Sequence, residues 1–160
     1  MTNLVSLLVS ALDEAFDKPS WHGPNLRGAL RGITPEQASL RPQPGRHNIW
    51  ELMVHCAYWK YVVRRKLTGL RRGSFPLAGS NFFLRPVEIT AAAWKSDLDL
   101  LVSEHLLLRA AIASLPPAAL QDPKNLRLIR GAAAHDLYHA GQVRLLRRML
   151  ARPVDFLDAR

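Results

Sequence analysis

Two histidines spaced i and i+4, in His135-Asp136-Leu137-Tyr138-His139, are the residues of this 160-residue chain best placed by type and spacing to do chemistry. On a helix such positions stack on one face, near enough for both imidazoles to grip one cation. Their surroundings say more than the spacing. The stripe they share runs Leu128, Ala132, His135, His139, Val143 (or Gln142), Leu146 and Leu150, and apart from Gln142 the rest of it is apolar or small. Both rings are therefore expected to point into a core. An upstream stretch repeats the anomaly. Leu52, His55, Trp59, Val63 and Leu67 form a seam in which His55 stands where a leucine is expected. A buried neutral imidazole needs a partner for at least one ring nitrogen, because an unsatisfied buried polar group costs about 1–3 kcal/mol. Three imidazoles meeting in one core are satisfied together by a single divalent metal; the alternative is a hydrogen-bonded histidine cluster.

Three nitrogen ligands leave a fourth coordination position for water or a substrate thiolate, the mark of a catalytic rather than a structural site. Nitrogen donors suit zinc, nickel, copper and iron alike and do not choose among them; the cofactor expected is one divalent transition metal, zinc or nickel first. No glutamate follows the first histidine as in H-E-x-x-H, so a metalloprotease would lack its base. Asp136, beside a ligand, either orients an imidazole as acceptor or is a solvated carboxylate. Glu51 lies one turn before His55, although a helix-capping role accounts for it. Tyr138 and Trp59 either line a substrate cleft or pack in the core. His105, in a Leu-rich stretch, is the first candidate for an additional ligand. His47 and His22 are read as bystanders, and Cys56 as a small buried apolar residue pointing away from the site.

These residues need long helices to position them, and the chain supplies four. The first runs from about Asn3 to Phe16 with Leu4, Leu7, Leu8, Ala11, Leu12 and Phe16 on one face. A short amphipathic piece covers Leu26 to Leu30. Thr34-Pro35-Glu36-Gln37 provides an N-cap, a first-turn proline and a capping-box glutamine, and Pro42 and Pro44 keep that helix short. The second long helix starts at Asn48 as N-cap, with Glu51 closing a capping box, and runs to about Leu67 before Gly69. Leu70 to Val87 is a long connection, either functional or a crossover between non-adjacent helices. The third long helix spans about Thr90 to Leu115 and stops at Pro116-Pro117. The fourth starts near Asn125 as cap and reaches about Ala151. Strand and hairpin signals are absent. The expected architecture is all-α: a four-helix bundle over residues 1–160, with a long helix 2–helix 3 connection that fits a bundle other than simple up-down-up-down.

The charge balance is 22 basic against 13 acidic residues, a net +9. Most of that excess resolves into helix ends, where Arg64-Arg65-Lys66 with Arg71-Arg72, and Arg144, Arg147 and Arg148, offset the negative dipole end by about 0.3–1 kcal/mol each. A cationic surface also attracts anions, so an anionic or thiol small-molecule substrate is compatible. No RNP, zinc-finger or helix-turn-helix pattern supports a nucleic-acid partner. A single cysteine excludes an intramolecular disulfide, and no apolar run reaches the roughly 20 residues of a membrane span. A cytoplasmic protein is expected.

His47-Asn48-Ile49-Trp50-Glu51-Leu52, continuing to His55 and Tyr58-Trp59, together with His135-Asp136-Leu137-Tyr138-His139-Ala140-Gly141-Gln142, resembles the DinB/YfiT-like superfamily over Trp21 to Leu150. The resemblance implies a four-helix bundle, commonly dimeric, with one divalent metal held by one histidine of helix 2 and two of the last helix. By motif position those are His55, His135 and His139, the same three that the apolar stripes single out. For activity the resemblance implies less: some relatives are thiol-dependent S-transferases or isomerases in which the metal activates a thiol, and many have no established activity. Two readings follow: a divalent-metal-dependent enzyme with thiol-transferase or hydrolase-like chemistry, and a non-catalytic metal-binding stress protein.

Overall fold

Local capping chemistry starts and stops the helices close to the expected points. The computed structural model describes residues 4–151, which contain α1 (Leu4–Phe16), α2 (Leu26–Leu30), α3 (Pro35–Ser39), α4 (Ile49–Thr68), α5 (Ala91–Ala113), α6 (Pro117–Gln121) and α7 (Pro123–Ala151), and no strand among them. Asn3, the expected first helical residue, lies outside the described residues. The Thr34 hydroxyl accepts the Gln37 N–H and the Gln37 side chain accepts the Thr34 N–H, a complete capping box. Asn48 and Thr90 cap α4 and α5, and Gly69 ends α4 in the left-handed conformation with φ of 71°.

Two starts differ from expectation. Asn125 does not cap the last helix; it sits inside α7 and its amide reaches back to the Ala119 carbonyl, while the Asp122 carboxylate accepts the Lys124 N–H. The Pro116-Pro117 pair ends α5 but also begins the short α6, since a proline is tolerated in a first turn. The inward face of α1 is also rotated from the expected stripe. Leu4, Leu7 and Ala11 are exposed, whereas Leu8, Leu12, Ala15 and Phe16 are buried.

The four long helices form a ring in which α1 packs on α5 and α7, and α4 packs on the same two. Side-chain pairs give the directions. Trp50 meets Asp97 and Arg64 meets Glu104, so α4 and α5 run parallel. Asp13 meets Arg109 while Phe16 meets His105, so α1 opposes α5. His55 meets His139, and Lys60 meets Asp136, so α4 opposes α7. The order is up, down, down, up. Parallel neighbours cannot be joined by a tight turn, which is why residues 69–90 travel back along α4 before α5 begins. The Tyr61 hydroxyl accepts the Gly73 and Ser74 N–H groups, and the Asn48 amide donates to the Arg85 carbonyl. Fully buried Leu101, Leu108 and Ile112 anchor α5, each worth about 1.5–3 kcal/mol relative to exposure. No helix is long and apolar enough to cross a membrane among the described residues.

Candidate metal centre

The antiparallel contact of α4 with α7 brings His55 against His135 and His139. Their ligating nitrogens all lie within 4.8 Å of one another. The His135 Nε2 is 3.1 Å from the Nε2 of His55 and 3.1 Å from the Nε2 of His139. The other nitrogens of two of these rings are engaged. His55 Nδ1–H donates to the Asn81 carbonyl at 2.9 Å, and His139 Nδ1 pairs with the Gln142 side-chain oxygen at 2.6 Å. Both rings are therefore in the tautomer that turns an Nε2 lone pair toward His135. A neutral His135 offers at most one Nε2 proton, so mutual hydrogen bonding leaves at least one buried lone pair unsatisfied. A cation satisfies all three.

Electrostatics favour the same protonation state. Burial pushes the His135 pKa down to about 3, with the neighbouring His139, His55 and Lys60 charges adding to it. Burial likewise brings His55 to about 4, opposed by its bond to Asn81, and lowers His139 against the pull of Gln142. The rings are neutral at pH 7, as metal ligation requires.

The long connection finishes the site. Asn81 adopts φ of 66°, a conformation Asn tolerates better than most residues, and uses both of its ends. Its carbonyl fixes His55 while its side chain accepts the Trp59 indole N–H at 3.0 Å. Phe82 is stacked between His47 and His55, with ring centroids 3.7 and 4.0 Å away. His47 is thus no bystander: it backs the ring that backs a candidate ligand. Sequence reasoning passed over Asn81 and Phe82, because neither lies on a periodic element.

The remaining candidates sort differently from expectation. Asp136 is neither a solvated carboxylate nor an acceptor for a cluster imidazole. It is fully buried, ion-paired with equally buried Lys60, and its Oδ1 has no hydrogen-bond partner among the described residues. Burial raises the Asp136 pKa against the lowering effect of Lys60. The centre of the α7 inward stripe is Ile129, Ala133, Asp136, Ala140 and Val143, so the histidines occupy its edge rather than its middle. Glu51 serves only half of a capping box. Its N–H bonds to Asn48, but its carboxylate is taken by Arg41, by His47 and by the Arg85 N–H. Burial raises the Glu51 pKa, and those hydrogen bonds together outweigh it and hold the carboxyl below its ordinary range.

His105 is not a further ligand of this cluster. It stacks on Phe16 and lies between Lys60 Nζ at 3.5 Å and Asp13 at 3.4 Å, and Arg109 closes the chain on Asp13 at 2.9 Å. Burial and the Lys60 charge push the His105 pKa down to about 3. Cys56 is buried as expected but does not point away: its Sγ lies within 4.8 Å of His135 and Asp136 ligand atoms. Burial, and then the Asp136 charge, raise its pKa well above the ordinary thiol value. With Asp136 committed to Lys60 and the thiol protonated, Cys56–His135–Asp136 is the poorer donor set. Lys60 itself was missed, although a lysine interrupting the seam Ile49, Met53, Cys56, Val63 was a legible signal.

Gln142 orients His139, and Trp59 and Tyr138 stand at openings on either side of the cluster. His135 borders both a cavity of about 580 Å³ that also touches Trp59 and Lys60, and one of about 570 Å³ that also touches Tyr138 and Gln142. The basic groups do more than offset dipoles: Arg64 pairs with Glu104, and Arg147 donates to the Ala29 and Arg31 carbonyls at the end of α2.

A family model described as the DinB superfamily matches residues 20–143, more than half of the chain. No curated protein and no solved structure matches it.

Proposed function

The chain belongs to the DinB superfamily, and from that premise we infer that it is a divalent-metal-dependent enzyme whose ion is held by His55, His135 and His139. The observation that carries this reading is the pair of locked tautomers that aim two Nε2 lone pairs at a third imidazole. Ligands about 2.0–2.1 Å from a tetrahedral ion stand about 3.3 Å apart, close to the 3.1 Å that separates His135 Nε2 from the Nε2 atoms of His55 and His139. Three neutral ligands and no carboxylate suit zinc or nickel. When bound, the ion supplies Lewis acidity to a water or thiol in the open position. The chain's own residues do the rest. Asn81 and Gln142 hold the ring orientations, Phe82 excludes water from one face of His55, and Trp59 and Tyr138 border the approaches.

Metal analysis of protein purified without added ions tests the reading. One ion per chain, lost in His55→Ala and His139→Ala, is expected; substoichiometric metal unchanged by His139→Ala overturns it. Cobalt substitution then separates an enzyme from a non-catalytic metal binder. A visible spectrum that shifts with added thiol supports an exchangeable fourth position, and one indifferent to thiol and pH favours the binder.

The same reading includes a cytoplasmic homodimer, with residues 1–160 forming one bundle unit. Tyr138, Leu145 and Met149, exposed along one side of α7, are apolar surface that a partner would cover. Light scattering returning the monomer mass rejects the dimer.

A further inference from the structure

Between α4 and α7, on the side of the histidine cluster away from Tyr138, lies the cavity of about 580 Å³, a size ordinary for small-molecule sites. Its walls are apolar, from Trp59, Val63, Leu128 and Ala132. Its two ends differ in charge. At one end stand Lys66, Lys124 and Arg127, and among the described residues no carboxylate pairs with any of them. At the other stand His135 and the mutually neutralised Lys60–Asp136 pair. Arg127 and His135 are eight residues apart on α7, about 12 Å along its axis. Midway sits Gly131, where an added Cβ would meet nothing within 4 Å. A larger side chain at this position has room to extend into the slot.

We propose that this cavity binds a small amphiphile with an anionic head: the head rests on Lys66, Lys124 and Arg127, the apolar body lies along Trp59 and Leu128, and the far end reaches His135. Three cations with no carboxylate partner among the described residues, at one end of an apolar slot, select an anion by charge, and the slot selects an apolar body by burial. The last part, that the far end meets the metal centre, rests on the function proposed above. The binding itself does not.

Calorimetry with octanoate, 1-octanol and octylammonium, on chelator-treated protein, tests the binding. Octanoate is expected to bind saturably at one site and to weaken with added salt, while octylammonium does not bind. Lys124→Glu/Arg127→Glu, on exposed positions, raises the octanoate Kd at least tenfold, and Gly131→Phe removes binding by filling the slot; circular dichroism checks that both variants fold. Octanol binding as tightly as octanoate, or either variant binding octanoate like the parent, overturns the proposal. Cobalt-loaded protein tests the juxtaposition. Octanoate is expected to perturb the cobalt spectrum, and binding with no perturbation overturns the placement at His135. A chain that binds one metal ion but no octanoate refutes only this inference; one that binds octanoate but no metal refutes only the metal centre.

Discussion

The Nε2 atoms of His55 and His135 lie 3.1 Å apart although the residues are 80 positions apart in the chain. Nothing local holds them there. Antiparallel packing of α4 on α7 sets their separation, and Asn81, from a segment outside either helix, sets the angle of the His55 ring. The geometry of the histidine cluster depends on three separate stretches of chain, and each can be tested by itself.

Gln142 makes the contact that orients His139. Gln142→Leu leaves the three histidines in place but frees that ring, so on the proposed metal-binding reading metal affinity is expected to fall about 10–100-fold. Competition against a chelator of known affinity reads the change. An unaltered affinity would mean that packing alone orients His139.

Lys60 and Asp136 are buried together, so removing one charge strands the other. Lys60→Met is expected to destabilise metal-free protein by about 3–5 kcal/mol in urea unfolding, and Lys60→Met/Asp136→Leu to recover most of that loss. A double variant as unstable as the sum of both single variants contradicts the pairing.

Acid should weaken the metal-free fold through the histidines. His55 has a folded pKa of about 4 and His135 of about 3, against an ordinary value of 6.5. Between the folded and unfolded values the unfolded chain binds more protons, so stability rises with pH there. The contribution is complete above pH 6.5 and lost as pH falls toward 4 for His55 and 3 for His135. Asp136 and Glu104, whose pKa values burial raises, act in the opposite sense. The comparison with His55→Asn therefore isolates the effect: the variant's urea midpoint should depend less steeply on pH between 6.5 and 5 than the parent's. Equal slopes would remove His55 from the account.

Cys56 is buried, and its thiol is protonated at neutral pH. Since the thiolate is the reactive form, a thiol reagent should label Cys56 at pH 8 only at the rate of unfolding, and promptly in urea. Prompt labelling of folded protein would show that the thiol is reached through the neighbouring cavity.

The four long helices, the caps at Thr34 and Asn48 and the three histidines were legible in the sequence, because periodicity and capping are local and a polar residue in an apolar seam is visible wherever it falls. The charge balance of the interior was not legible, since a burial stripe read from sequence is uncertain by part of a turn. In the structure that margin puts Asp136 at the centre of α7 and His135 at its edge. It also turns Leu7 outward, and it turns Cys56 toward His135 rather than away. The sequence by itself determined an all-α chain with imidazoles on two core-facing seams. Only the tertiary structure decided that Lys60 meets Asp136, that Glu51 is taken by Arg41 and His47, and that residues 69–90 lay Asn81 and Phe82 on His55. The physical reason is range. A cap or a stripe is set within a few residues, whereas these contacts depend on helix order and direction, which the parallel placement of α4 and α5 sets for the chain as a whole.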